Sequence, residues 1–251
     1  MAGAVQLLQR GSISVVDVEV ANTAYREYTD PSISQLEADI RSLGRTHYPL
    51  QVETLRRYTE WTSEVNAELL AGLERAGMKL DLGEDGTGWL MKFHRYAGGY
   101  YLNVGASEFV VSGDIGLVPF ESVEKFVPTG VLTTDGVLHE LDLVVLATGY
   151  ENLSVEVEHL FGHEVADRVG RIGGFGPDGE RRNFGRPTAQ PNLWFMLGGI
   201  AEGRRAGSAL ALQLAANVMG VAPTVVRGPD GRVVPLAPGE VASGGGDVPV
   251  A

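Results

Sequence analysis

At 251 residues, with 44% hydrophobic and 21% charged residues, the chain has the make-up of a soluble globular protein, and length for one large domain or two small ones. A net charge of -12 argues against the basic face that binding to nucleic acid or an anionic membrane requires. The absence of Cys excludes disulfides, a thiolate nucleophile and Cys-ligated metals. Met1–Arg10 lacks the basic start and apolar core of a secretory signal, and no apolar run approaches the ~20 residues of a membrane span. A cytoplasmic location is the expectation.

Val5 to Gly11 opens the chain as a short apolar strand ending in Arg10, followed by an irregular connection from Ile13 to Tyr28. Asp30-Pro31-Ser32 breaks the chain, and Ser34 with Glu37 offers a capping box for a helix to about Leu43. From Val52 to Ala76, apolar residues recur at spacings of three and four: Val52, Leu55, Tyr58, Trp61, Val65, Leu69 and Leu73. This pattern predicts one long helix that stops at Gly77. Lys79–Leu82 is a short strand candidate, and Gly83–Gly88 reads as a flexible turn. In Phe93–Gly105, Gly98-Gly99 beside Tyr100-Tyr101 permits close backbone approach, which suits a flat ligand or a tight strand entry. Ser107–Val111 reads as one helical turn capped by Gly113.

Ile115 to Leu146 predicts a β-meander, with Pro119, Pro128-Thr129-Gly130 and the hairpin signal Asp135-Gly136 as punctuation. Its last member, Asp142-Leu143-Val144-Val145-Leu146, is apolar without alternation, as a parallel strand buried on both faces is. It ends in Ala147-Thr148-Gly149-Tyr150, where small residues admit a ligand at the carboxyl end of a strand. An ordinary core strand closed by a turn glycine satisfies the same pattern. Val155–Val169 predicts a helix with His159 and His163 four apart. No Glu lies between them as in His-Glu-x-x-His, and Gly162 interrupts, which argues against a metal. Gly174-Phe175-Gly176-Pro177-Asp178-Gly179 matches Gly-x-Gly-x-x-Gly. No apolar strand precedes it and Pro-Asp-Gly is turn chemistry, so a surface turn is expected. Arg181, Arg182 and Arg186 lie in a glycine-rich loop, either solvated or available to a phosphate or carboxylate. Leu193–Leu197 reads as a second buried strand, and a helix follows from about Gly207 to Val218. Thr224–Arg227 and Arg232–Val234 flank a turn, and Pro238–Ala251 reads as a tail.

Four stretches in this order carry a resemblance: Phe93–Gly105, Asp-x-x-x-x-Ala-Thr-Gly-Tyr at 142–150, Gln190–Phe195 and Ser208–Gln213. From the start to about Gly220 the chain resembles the flavin-containing monooxygenase-like family, relatives of the Baeyer–Villiger monooxygenases. The resemblance implies an α/β, partial FAD/NAD(P)-binding Rossmann-like fold. Residues 1–150 would form part of an NADP-binding domain, with a helical insert over about 33–77 beside the substrate pocket and a meander over about 115–146. Residues 151–220 would return to the FAD-binding domain, and 221–251 would be a hairpin or tail.

The resemblance also assigns residues. Arg10 would hold the 2′-phosphate of NADPH, a task that suits the planar fork of a guanidinium, whereas the residues alone admit a solvated Arg at a strand end. Ala147, Thr148, Gly149 and Tyr150 would lie at the cofactors. Gly198, Gly199 and Ile200 would face FAD at a helix N-terminus. The implied activity is NADPH-consuming, flavin-dependent oxygenation of a small organic substrate. The Gly-rich fingerprints that the family places before Arg10 do not occur here, so truncation is an expectation. A second reading follows from that: a non-catalytic remnant or interaction module whose exposed strand edges pair with a partner chain or a further copy.

Overall fold

The computed structural model describes residues 5–45, 48–222, 225–227 and 233–235. In chain order the elements are β1 (Val5–Gln9), β2 (Ser14–Asp17), α1 (Val18–Asn22), α2 (Arg26–Thr29), α3 (Gln35–Arg45), α4 (Tyr48–Val65), α5 (Ala67–Arg75), α6 (Gly88–Tyr96), β3 (Tyr100–Asn103), α7 (Ala106–Ser112) and β4 (Ile115–Pro119). They continue with β5 (Val123–Val127), β6 (Gly130–Thr133), β7 (Leu138–Glu140), α8 (Ser154–Phe161), α9 (His163–Val169), α10 (Ile200–Val218), β8 (Val225–Arg227) and β9 (Val233–Pro235). The chain divides into two compact units, Met1–Gly149 and Tyr150–Ala251. The architecture is mixed α/β with small sheets, and a doubly wound sheet does not form among the described residues.

The first unit is built on β2 and β3, which pair in parallel from Ser14 opposite Tyr100 to Asp17 opposite Asn103. Successive residues of a strand face opposite ways. Val15 and Tyr101 therefore pack with Leu73, Met78 and Val110, while Val16, Tyr100 and Leu102 pack with Ala21, Tyr58 and Trp89. Helices thus cover both faces of this pair, as a parallel sheet requires. The segment from Ile13 to Tyr28, expected to be irregular, supplies β2 and two short helices. Lys79–Leu82 forms only a bridge, Ile13 with Leu80.

The long helix expected over Val52–Ala76 exists in two pieces. Asn66 breaks it: its Nδ2 donates to the Thr62 carbonyl at 2.8 Å, and its Oδ1 accepts the Asp17 N–H at 3.0 Å. Moreover, α4 is rotated from its apolar stripe. Gln51, Leu55, Thr59, Thr62 and Asn66 are buried, whereas Trp61 is 42% and Val65 53% exposed. Close helix packing explains the choice, because a β-carbon on Gly88 of α6 would lie 2.4 Å from Thr59 Oγ1. Only small residues fit at such an approach. At α3 the expected cap forms, with Ser34 Oγ accepting the Glu37 N–H at 3.2 Å. Gly113, at φ 85°, closes α7 as expected.

β5, β6 and β7 form an antiparallel meander, and Gly136 (φ 84°) turns β6 into β7. β4 does not join it and pairs in parallel with β1, from Val5 opposite Ile115 to Gln9 opposite Pro119. The expected strand Asp142–Leu146 does not form. Leu143, Val145 and Leu146 are 75–77% exposed. A parallel strand needs hydrogen-bonded neighbours at its edges and packed helices on its faces, and no strand among the described residues takes up this segment.

In the second unit Gly162 (φ 86°) divides the expected helix into α8 and α9. Leu193–Leu197 is likewise not a strand. Its Leu193, Phe195 and Leu197 instead pack on Val157, Ala166, Val169 and Ile172. Helix α10 begins at Ile200, seven residues before the expected start. Gly174–Gly179 is a turn, with the Gly179 N–H bonded to the Gly176 carbonyl at 3.0 Å, and β8 and β9 pair antiparallel. The expected tail, Pro238–Ala251, lies outside the described residues.

Candidate functional site

The carboxyl end of a parallel strand pair is where α/β proteins place ligands. At the end of β1, the Gln9 side chain fastens the turn to the chain at Lys79. Its Nε2 donates to the Gly11 carbonyl at 3.1 Å and the Lys79 carbonyl at 2.8 Å, and its Oε1 accepts the Lys79 N–H at 2.9 Å. Arg10 stands on this fixed turn, exposed, with no hydrogen bond or ion pair to any described residue. A guanidinium without a partner among the described residues keeps its five donors for an anion.

Two residues further along, Ser12 lines a cleft of about 460 Å³ with Asp81, Glu84, Lys92, Tyr96 and Gly99. Lys92 Nζ donates to Asp81 Oδ2 at 2.6 Å and to the Gly99 carbonyl at 3.1 Å. Burial raises the Asp81 carboxyl, and hydrogen bonds from Lys92, Ser12 and the Gly83 N–H outweigh it, so its pKa lies below that of an ordinary aspartate. Arg95 grips Asp85 with two bonds, Nη1 to Oδ1 at 3.1 Å and Nη2 to Oδ2 at 2.7 Å, and Thr87 Oγ1 donates to the same carboxylate at 2.6 Å. Burial again opposes ionisation of Asp85, and Arg95, Thr87 and Arg56 together lower its pKa. The acidic segment 81–85 is therefore pinned by two cations of α6, Lys92 at Asp81 and Arg95 at Asp85. The turn expected at Gly83–Gly88 forms, with the Gly86 N–H bonded to the Gly83 carbonyl at 3.3 Å, and Arg95 ties it to α6. The signal available was the pairing of Asp81 and Asp85 with Lys92 and Arg95 one helix later.

Ala147, Thr148, Gly149 and Tyr150 are all exposed and outside any strand. Gly198, Gly199 and Ile200 sit together at the start of α10, with Ile200 94% exposed. The charge of that helix end is already met from within. Glu202 Oε2 accepts the Gly199 N–H at 3.1 Å, and Oε1 binds Arg205 at 2.7 Å. A β-carbon on Gly198 would lie 2.9 Å from Glu202 Cγ, so the space a cofactor edge would use beside that glycine holds the Glu202 side chain. These residues do not form a flavin slot as they stand. Arg10 and Ala147–Gly149 belong to the first unit, and Tyr150 and Gly198–Ile200 to the second.

Of the remaining cationic and imidazole candidates, Arg181, Arg186, His159 and His163 have structural partners. Arg181 packs on Phe175 and Phe184, 5.5 and 5.6 Å from their ring centres. Burial lowers its pKa, Glu202 opposes that, and Arg205 adds to it. Arg186 pairs with Asp178 at 3.3 Å. His163 lies between Glu158 and Asp167, and His159 lies near Glu156. No group of three metal-ligating side chains occurs among the described residues. Nor is any described helix long and apolar enough to cross a membrane. In α10, Gln213 Nε2 donates to the Gly185 carbonyl at 2.9 Å, which ties the glycine-rich loop to that helix.

No protein-family model matches the chain, and no curated protein matches it.

Proposed function

We propose that the chain carries the nicotinamide-nucleotide side of a flavin-dependent, NADPH-consuming monooxygenase that oxygenates a small organic substrate. The supporting observation is Arg10, exposed and unengaged at the carboxyl end of β1 on a turn fixed by Gln9. The four ordered sequence stretches agree with this reading. NADPH, when bound, supplies a hydride. Arg10 would donate paired N–H bonds to its 2′-phosphate, which NADH lacks. FAD is the second cofactor of this reading, but the residues at the start of α10 do not fit it as they stand, and no step is derived through it.

The test is titration with NADPH and NADH by calorimetry, for the chain and for Arg10→Ala. Charge-assisted bonds of this kind contribute about 1.5–3 kcal/mol, so NADPH affinity should fall roughly 10- to 100-fold while NADH affinity stays. Absence of NADPH binding to the unaltered chain, or equal weakening for both nucleotides, refutes the assignment.

A second reading, an interaction module without catalysis, is favoured by the exposure of Leu143–Leu146. A monodisperse monomer that unfolds cooperatively would count against it.

A further inference from the structure

We infer that two copies of this chain associate by strand exchange, with Leu143–Leu146 of each copy adding in parallel to the free edge of β1 in the other. Both halves of the contact are on the same molecule. β1 is hydrogen-bonded on one side only, to β4, and no described strand occupies its other edge. Its Val5 is 55% and its Leu7 43% exposed, although parallel strands are ordinarily covered on both faces. Leu143, Val144, Val145 and Leu146 are 77, 45, 77 and 75% exposed and lie in no sheet, although their sequence is that of a buried strand. One element lacks a neighbour and the other lacks a sheet.

A second copy satisfies both at once. Made reciprocally about a two-fold axis, the exchange would give each pair of molecules the contact twice and would close without propagating. Main-chain bonds along the new ladder supply affinity, as in other cases of strand addition. The charge pattern favours the same occupant. Neither Val5–Gln9 nor Leu143–Leu146 contains a charged residue, so two chains of net charge -12 meet where neither carries charge. Parallel orientation extends the β4–β1 pair in its own sense, consistent with the over-representation of purely parallel sheets. This inference rests on the second reading above, for which it names the partner, and it stands without the nucleotide assignment.

Light scattering after size exclusion, at about 100 μM protein, where contacts of micromolar strength are populated, is the first measurement. A dimer is expected. In a strand the N–H groups of successive residues point to opposite edges, and Pro removes the donor. One of the two variants Val144→Pro and Val145→Pro should therefore abolish the dimer. Both residues lie outside every helix and strand of the single chain, so its far-UV circular dichroism should be unchanged. The chain has no cysteine, which allows a second readout. Leu7→Cys protein mixed with Val144→Cys or Val145→Cys protein should give a mixed disulfide dimer on oxidation. A monomer at this concentration overturns the inference, and so does a dimer that survives both proline variants or yields no mixed disulfide. A dimer held elsewhere, or capture of the β1 edge by another polypeptide, would appear as one of those last two results.

Discussion

Replacing Asp85 by Asn tests whether the acidic loop beside the cleft is held by charge. Arg95 meets Asp85 through two bonds of 2.7 and 3.1 Å, and the side chains are only 15% and 25% exposed. Breaking a buried pair from one side costs about 3–5 kcal/mol, and an exposed pair contributes under about 1. The quarter exposure of Asp85 places this pair between those limits. Glu84, 3.9 Å from Arg95 Nη1, recovers part of the loss. A destabilisation of about 2 kcal/mol follows, and at a urea m-value of about 2 kcal/mol/M the midpoint falls by about 1 M. Fluorescence in a Trp194→Phe background reports on the first unit alone, since the other tryptophans, Trp61 and Trp89, both lie in it. The pH dependence supplies the control. The folded pKa of Asp85 is lowered, so its contribution is complete above the ordinary aspartate range near ~3.9 and disappears as pH falls through the lowered value. The two proteins should therefore converge in acid. A loss below about 0.5 kcal/mol at neutral pH would match a solvated pair and refute the pinning. A difference that persists unchanged in acid would show that the loss is not electrostatic.

Two further substitutions probe each unit separately. Gly130→Ala would place a β-carbon 1.9 Å from the His139 carbonyl oxygen across the β6–β7 ladder. The ladder must part, and loss of more than about 3 kcal/mol, with shifted amide resonances from Gly130 to Glu140, should be seen by urea titration and NMR. Asn183, 1% exposed and at φ 54°, donates through Nδ2 to the Val169 and Arg171 carbonyls at 2.9 and 3.0 Å. Asn183→Ala strands two carbonyls and strains the backbone. A loss of about 2–3 kcal/mol should appear in the Trp194 signal of the second unit, and an unchanged midpoint would contradict that role.

Local pattern carried the elements whose partners are close in sequence. The Ser34 half of the expected capping box, the Gly113 stop and the Asp135-Gly136 hairpin each depend on residues within a few positions, and each forms, while the Glu37 carboxylate turns to Arg41. Apolar runs were a poorer guide. Leu143–Leu146 and Leu193–Leu197 have strand sequences, but a strand is defined by neighbours that its own residues do not encode. Periodicity found α4 and misplaced its buried face, because Thr59 lies inward under Gly88, where only a small side chain fits, and Trp61 is left outside. The site divides in the same way. Arg10 was legible as a cation at a strand end. The cleft was not, since Asp81 with Lys92 and Asp85 with Arg95 become neighbours only when α6 folds back on the loop.

The two parallel pairs of the first unit differ in a way that bears on both readings of the molecule. β2 and β3 carry the core, with helices on either face and Val15 and Val16 buried on opposite sides. β1 of the second pair leads to the candidate nucleotide residue, Arg10, and its Val5 and Leu7 are exposed. Few buried contacts and open hydrogen-bonding edges are the marks of segments at the low end of local stability. A ligand or a second chain that binds only the ordered form of β1 would stabilise that pair by mass action. Nucleotide at Arg10 and a strand at the free edge of β1 would then reinforce each other, because both draw on the same ordering of Val5–Arg10.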